Sequence, residues 1–251
     1  MSIASNLTEV RERIAESARR AGRQPSEITL VAVSKTFAAD RMREAWAAGQ
    51  RDFGENKVQE GLQKIADTAD SPARWHLIGH LQSNKAKKAA AAFACVQSID
   101  SVDLLQRLDD GAGQRLPGSA PLEVLVQVDF AGEDTKFGAP PDVAVQTVRA
   151  AASAKHVQLV GLMLLPPWSD DPEQARPWFA RLREFRDRLV GDLAKDGIPA
   201  AHLLRHLSMG MSHDYQAAIE EGSTIVRVGT AIFGARRAPE LVAAKPQPEG
   251  Q

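Results

Sequence analysis

One α/β domain, a (β/α)8 barrel of the TIM type preceded by an extra N-terminal helix, is the fold this sequence predicts, and three observations predict it. Eight short strand-like runs, the first of them rich in β-branched residues, alternate with helical stretches, and strict alternation implies right-handed parallel crossovers. Eight such units in 251 residues match the size at which they close into a barrel. An open doubly wound sheet also alternates in this way, but no Gly-x-Gly-x-x-Gly follows the first strand, which weakens that alternative.

Each element follows from local pattern. Ile3, Leu7, Val10, Ile14 and Ala18 recur at helical spacing with Glu9, Arg11, Glu12 and Arg13 between them, so residues 2–21 form an amphipathic helix with no signal-peptide apolar run. Residues 28–34 read as the first strand, and the helix over 39–48 stops at Gly49. Strands at 51–55, 74–78, 95–99 and 121–129 are followed by helices near 56–67, 84–92, 102–110 and 140–154. The last three strands are placed at 157–165, 202–208 and 224–228, separated by helices near 172–193 and 213–220. Residues 1–236 make up the barrel. The remainder, 237–251, carries Pro239, Pro246 and Pro248 with little apolar content and reads as a flexible tail.

Composition excludes several classes of function. A formal net charge of -1 leaves no basic field to attract nucleic acid or an anionic membrane. Cys95 is the only cysteine, so no internal disulfide or cysteine metal cluster can form, and a reducing cytoplasm suits the chain. No segment is long and apolar enough to span a bilayer as a helix.

Functional groups of such barrels sit at the carboxyl ends of strands, where Lys35 closes the first. Alternation puts Val31, Val33 and Lys35 on one face. If that face is the interior, desolvation frees an amine for attack on an aldehyde; otherwise the lysine head reaches solvent. Residues 207–212, Leu-Ser-Met-Gly-Met-Ser, are read as the loop that opens the next helix, and Arg227, Gly229 and Thr230 end the last strand beside it. Glycine and a helix start suit a phosphate, with tight turns and Ser208 or Ser212 caps as the plainer reading. Because the barrel closes between its first and last strands, Lys35 and this cradle meet, and a phosphorylated aldehyde matches the pair.

At these residues the chain resembles the pyridoxal phosphate homeostasis proteins, whose fold is similar to the barrel domain of alanine racemase. The resemblance covers about residues 5–236. It rests on the motifs Ala-Val-Ser-Lys-Thr at 32–36, Phe-Gly-Glu-Asn at 53–56, Trp-His-Leu-Ile-Gly at 75–79 with Leu-Gln-Ser-Asn-Lys at 81–85, Gly-Leu-Met at 161–163, the 207–212 segment and the run 226–236. It implies a pyridoxal 5'-phosphate (PLP) cofactor held as an aldimine on Lys35. Ser208, Gly210, Gly229 and Thr230 would then hold its phosphate, and Arg227 would face its pyridine nitrogen. Asn56 contacts the ring or caps its helix. Two positions depart from the family pattern, His213 and Phe37.

Arginine stays protonated and cannot take the pyridinium proton, so PLP beside Arg227 is a weaker electron sink. The resemblance implies that racemases need a tyrosine from a second domain; the expectation here is a chain that ends with its barrel, whose only tyrosine is Tyr215. The expectation is therefore a monomeric cytoplasmic protein that buffers or delivers PLP to PLP-dependent apoenzymes, without robust catalysis. A racemase-like PLP enzyme and a cofactor-free Schiff-base aldolase are the alternatives. His76 and His80 are read as core or rim histidines ahead of proton shuttles, Lys85, Lys87 and Lys88 as a solvated face, and Trp168 and Trp178 as packing residues. Lys136 belongs to a loop matching the family, with no physical role assigned.

Overall fold

The computed structural model describes residues 2–132, 137–198 and 202–234. Eight parallel strands close in sequence order: β1 (Thr29–Val33), β2 (Asp52–Glu55), β3 (Arg74–Leu77), β4 (Cys95–Ile99), β5 (Leu122–Val128), β6 (Val157–Leu164), β7 (His206–Met211) and β8 (Ile225–Val228). Helices α1 (Ile3–Arg20), α2 (Ala39–Ala47), α3 (Val58–Asp67), α4 (Ala86–Ala92), α5 (Val102–Ala112), α6 (Pro141–Ala152), α7 (Arg176–Lys195), α8 (Tyr215–Glu220) and α9 (Thr230–Phe233) cover the strands. The barrel predicted from alternation is thus the architecture observed. The proposed tail, 237–251, lies outside the described residues.

The seam is the pairing of β1 with β8, in which Leu30 stands beside Val226 and Val31 beside Arg227. Period-two alternation sorts the side chains of β1. Leu30 and Ala32 join the large apolar layer between strands and helices, while Val31 belongs to a small separate cluster within the barrel with Cys95, Leu125, Val160, Met163 and Ile225. Cys95 is accordingly a small core residue, its thiol pushed up by burial. Helix α1 buries the predicted stripe of Ile3, Leu7, Val10, Ile14 and Ala18 and donates an Asn6 amide to the Ile232 carbonyl of α9 at 2.8 Å. Among the described residues, no helix is long and apolar enough to cross a membrane.

One strand is displaced from its expected place. β7 was expected at 202–208 but runs over His206–Met211, and α8 begins at Tyr215. The Leu203-Leu204 pair that suggested strand instead packs from a turn, with Leu204 fully buried. The strand continues through Gly210, whose φ of +93° a glycine accepts without steric cost, and the register with β8 shifts between Ser208 and Met211.

Candidate cofactor site

A cavity of about 700 Å³ opens at the carboxyl ends of the strands, within the range of small-molecule sites. Val33 and Lys35 line it, so the inner-face assignment of β1 holds through the strand end, and Lys35 is half-buried there. The turn that presents Lys35 is unusual. Phe37 N–H donates to the Ser34 carbonyl at 3.1 Å, and Thr36 sits at φ +71°, a left-handed conformation that costs a β-branched residue about 1–2 kcal/mol.

A buried ionic cluster behind the strand holds this turn. The three hydrogens of the Lys64 ammonium go to the Ser34 carbonyl at 2.7 Å, Glu55 Oε1 at 2.7 Å and Glu60 Oε1 at 2.9 Å. Glu60 Oε1 also accepts the Thr36 N–H at 2.6 Å, and Ser34 Oγ donates to Glu55 Oε1 at 2.5 Å. Burial pushes the Glu55 carboxyl above its ordinary range, and the hydrogen bonds from Lys64 and Ser34 offset this only in part. For Glu60 burial also raises, but the bonds from Lys64 and the Thr36 N–H outweigh it and hold the carboxyl low. The backbone on both sides of Lys35 is therefore fixed from outside the cavity.

Arg227 enters from β8, 3% exposed. Its guanidinium donates to Ser208 Oγ at 2.5 Å and to the Leu164 carbonyl at 3.0 Å, and its remaining surface lines the cavity. Burial lowers it to about 10, against the opposing pull of Asp214, so the charge persists at neutral pH. Among the described residues, no carboxylate stands within ion-pair distance of it. A buried cation left in this state favours an anionic or acceptor-bearing ligand.

Gly229 and Thr230 also line the cavity, and the Gly229 N–H donates to Ser212 Oγ at 3.1 Å. A Cβ on Gly229 would lie 3.2 Å from the Val33 carbonyl oxygen, which measures how closely β8 approaches β1 at the site. Asn56 lines the opposite wall. The residue at the start of α3 is Lys57, so Asn56 faces the cavity rather than capping that helix. Gly79 lies beside it, and a Cβ there would fall 2.4 Å from the Asn56 carbonyl oxygen.

Two expected phosphate residues stand elsewhere, and the displacement of β7 is the reason. Ser208, now within the strand, is fully buried in the barrel interior, where it supports Arg227 from beneath. Gly210 packs against α8, where a Cβ would meet Ala218 Cβ at 2.6 Å and Tyr215 Cα at 2.8 Å. Ser212, just past the strand end, is the serine of this segment that reaches the cavity. Tyr215 is 4% exposed on α8 and does not line the cavity.

The rim comes from loops. His80 stacks on Phe137 at 3.7 Å between centroids, and Trp168 leans on His213 at 5.1 Å. Trp168 is 70% exposed, so it is a rim residue and not the packing residue expected; Trp178 does pack against the core. His80 lies beyond β3, whereas His76 is fully buried within it and bonded to side chains. Lys87 and Lys88 are exposed and Lys85 half-exposed, as a solvated face requires. Lys136 lies outside the described residues.

Comparison with known proteins adds to this geometry. The family described as "Alanine racemase, N-terminal domain" matches residues 5–237. The "Pyridoxal phosphate homeostasis protein" of Pseudomonas aeruginosa PAO1 is 45% identical over 235 residues, covering 94% of this chain and 96% of that one. The chain belongs to this family. Its Escherichia coli K12 member is 41% identical over 238 residues, covering 93% of this chain and 97% of the relative. Among solved structures, PipY of Synechococcus elongatus PCC7942, described with PLP bound, matches with a TM-score of 0.79 at 37% identity, covering 93% of this chain and all of that one, 100%. Alanine racemase of Corynebacterium glutamicum shares the barrel at a TM-score of 0.66 and 17% identity, with 95% of this chain matched to 62% of the enzyme.

Proposed function

We propose that this pyridoxal phosphate homeostasis protein holds PLP through a reversible covalent tether to the Lys35 amine and buffers or delivers it, without robust catalysis of its own. The observation that carries the reading is that Lys35, just past β1, and Arg227, on the neighbouring β8, line one cavity, and Arg227 is a buried cation with no carboxylate at ion-pair distance among the described residues. The family name and the PLP-bound PipY structure support the choice of ligand.

The residues present fit the cofactor. PLP carries an aldehyde for Lys35, a ring nitrogen that can accept from Arg227, and a phosphate that the Ser212, Gly229 and Thr230 corner can receive. Asn56 is placed to orient the ring from the other wall. Ser208 and Gly210 contribute from behind, one holding Arg227 and the other the path of β7. When bound, PLP supplies an electron-withdrawing ring conjugated to the amine it has captured. Arg227 would donate to the ring nitrogen without protonating it, which would restrain carbanion chemistry.

The same reading makes residues 1–236 one monomeric domain working in a reducing cytoplasm and passing PLP to PLP-dependent apoenzymes. Racemase-like turnover is the alternative, but likeness to the racemases extends to the fold alone, and Tyr215 is buried away from the cavity. The test is the visible spectrum of the purified chain loaded with PLP, compared with Lys35→Ala, alongside an assay for amino-acid racemisation. A lysine-dependent absorption band without turnover is expected. A spectrum indifferent to the substitution would sink the tether, and robust turnover lost in Lys35→Ala would establish an enzyme.

A further inference from the structure

A continuous line of side-chain hydrogen bonds runs inside the barrel from its amino-terminal mouth to the cofactor cavity. Asp52 Oδ1 lies 2.9 Å from His76 Nε2, His76 Nδ1 lies 3.0 Å from Gln97 Nε2, Gln97 Oε1 lies 2.7 Å from Ser208 Oγ, and Ser208 Oγ lies 2.5 Å from Arg227. His76, Gln97 and Ser208 are at most 1% exposed, and none of the three lines the cavity. A polar chain buried this deeply is costly unless every member is satisfied.

Its two ends determine the direction of everything between them. A guanidinium has only donors, and a carboxylate has only acceptors. Ser208 must therefore accept from Arg227, which leaves its own hydrogen for Gln97 Oε1. The Gln97 amide then turns its NH2 toward His76 Nδ1, which has to be bare, and the ring hydrogen sits on Nε2 facing Asp52. Reversing any one group would set two donors against each other or leave the Ser208 hydrogen with no acceptor.

We infer that Asp52, His76, Gln97 and Ser208 are positioning residues for the cofactor: a one-way hydrogen-bond chain that sets the orientation in which Arg227 meets the PLP ring. The assignment rests on the proposed PLP site, but the direction of the chain can be read without cofactor. Ser208 fixes one end of the guanidinium while the Leu164 carbonyl fixes the other at 3.0 Å, so the plane of Arg227 is set before any ligand arrives. Pre-set donors spare the ligand the cost of ordering them.

The experiment uses the full chain labelled with ¹⁵N-histidine, first as apoprotein and then loaded with PLP. In the apoprotein His76 should show a hydrogen-bearing Nε2 and a bare Nδ1; a bare Nε2 would overturn the chain's direction. Gln97→Leu cuts the chain in the middle. It should free the His76 tautomer, shift the absorption band of bound PLP and weaken PLP binding about tenfold. Gln97→Glu still accepts from Ser208 but demands a hydrogen from His76 Nδ1, so the ring should carry hydrogens on both nitrogens while PLP affinity stays near wild type. A leucine variant with unchanged band and affinity would overturn the positioning role. If the wild type itself shows no PLP band, the tether reading fails and takes the positioning role with it, whereas the apoprotein tautomer still reports on the chain alone.

Discussion

Replacing Lys64 with methionine keeps the length of the side chain and removes three donors at once: those to the Ser34 carbonyl, Glu55 and Glu60. Glu55 is fully buried, and its Oε2 has no partner among the described residues, so the substitution strands a carboxylate in the interior. Breaking a buried pair in this way costs about 3–5 kcal/mol. Set against about 5–15 kcal/mol for a whole domain, that is a large share of the stability. The loss should appear in denaturant unfolding as a lower midpoint at unchanged slope. The second change, Glu55→Leu in the Lys64→Met background, removes the stranded charge and should recover most of the loss. A single variant within about 1 kcal/mol of wild type, or a double variant no better than the single, would refute the account of this cluster as a coupled clamp. The protein should also lose affinity for PLP in Lys64→Met chains that still fold, because the turn that aims Lys35 has lost its bond at the Ser34 carbonyl and Glu60, which holds the Thr36 N–H, has lost its partner.

Two further outcomes follow from the same wall of the site. Gly79→Ala places a methyl group against the backbone of Asn56, where 2.4 Å leaves no room, so the ends of β2 and β3 must part. A destabilisation of about 1–3 kcal/mol and weaker PLP absorbance are expected, with calorimetry and visible spectroscopy as the checks. The Glu60 carboxyl is held below its ordinary value of 4.5, so the stability it contributes is fully present above that pH and is lost as pH falls through the depressed value. Unfolding measured at steps downward from about pH 5 should therefore show a smaller acid loss in Glu60→Gln than in wild type; equal slopes would remove Glu60 from the acid response.

The barrel was legible because strands and helices alternate without interruption, and alternation grouped Val31, Val33 and Lys35 on one face, which barrel closure turns inward. Seven strands lie within a residue or so of where the sequence pattern suggested. The eighth, β7, misled because Leu203 and Leu204 imitate a strand while the real one passes through a left-handed glycine, a conformation that local pattern does not reveal. That slip moved Ser208 and Gly210 from the expected cradle to the interior and the helix interface, and left Ser212 as the reaching serine. Gln97 gave no signal at all and His76 only that of a core or rim histidine, since their side-chain partners are set by closure of the barrel, which brings β2, β3, β4, β7 and β8 around one axis. Phe137 and Trp168 were hidden for a related reason: they belong to loops, where apolar residues follow no period.

The β1–β8 seam carries a consequence for the birth of the protein. Lys35 leaves the ribosome about 190 residues before Arg227, yet the two line one cavity through neighbouring strands. On the proposed function, a nascent chain has no complete PLP site until β8 has docked. Chains cut short before β8 should then stay colourless when offered PLP, so that acquisition of the cofactor would report a completed fold.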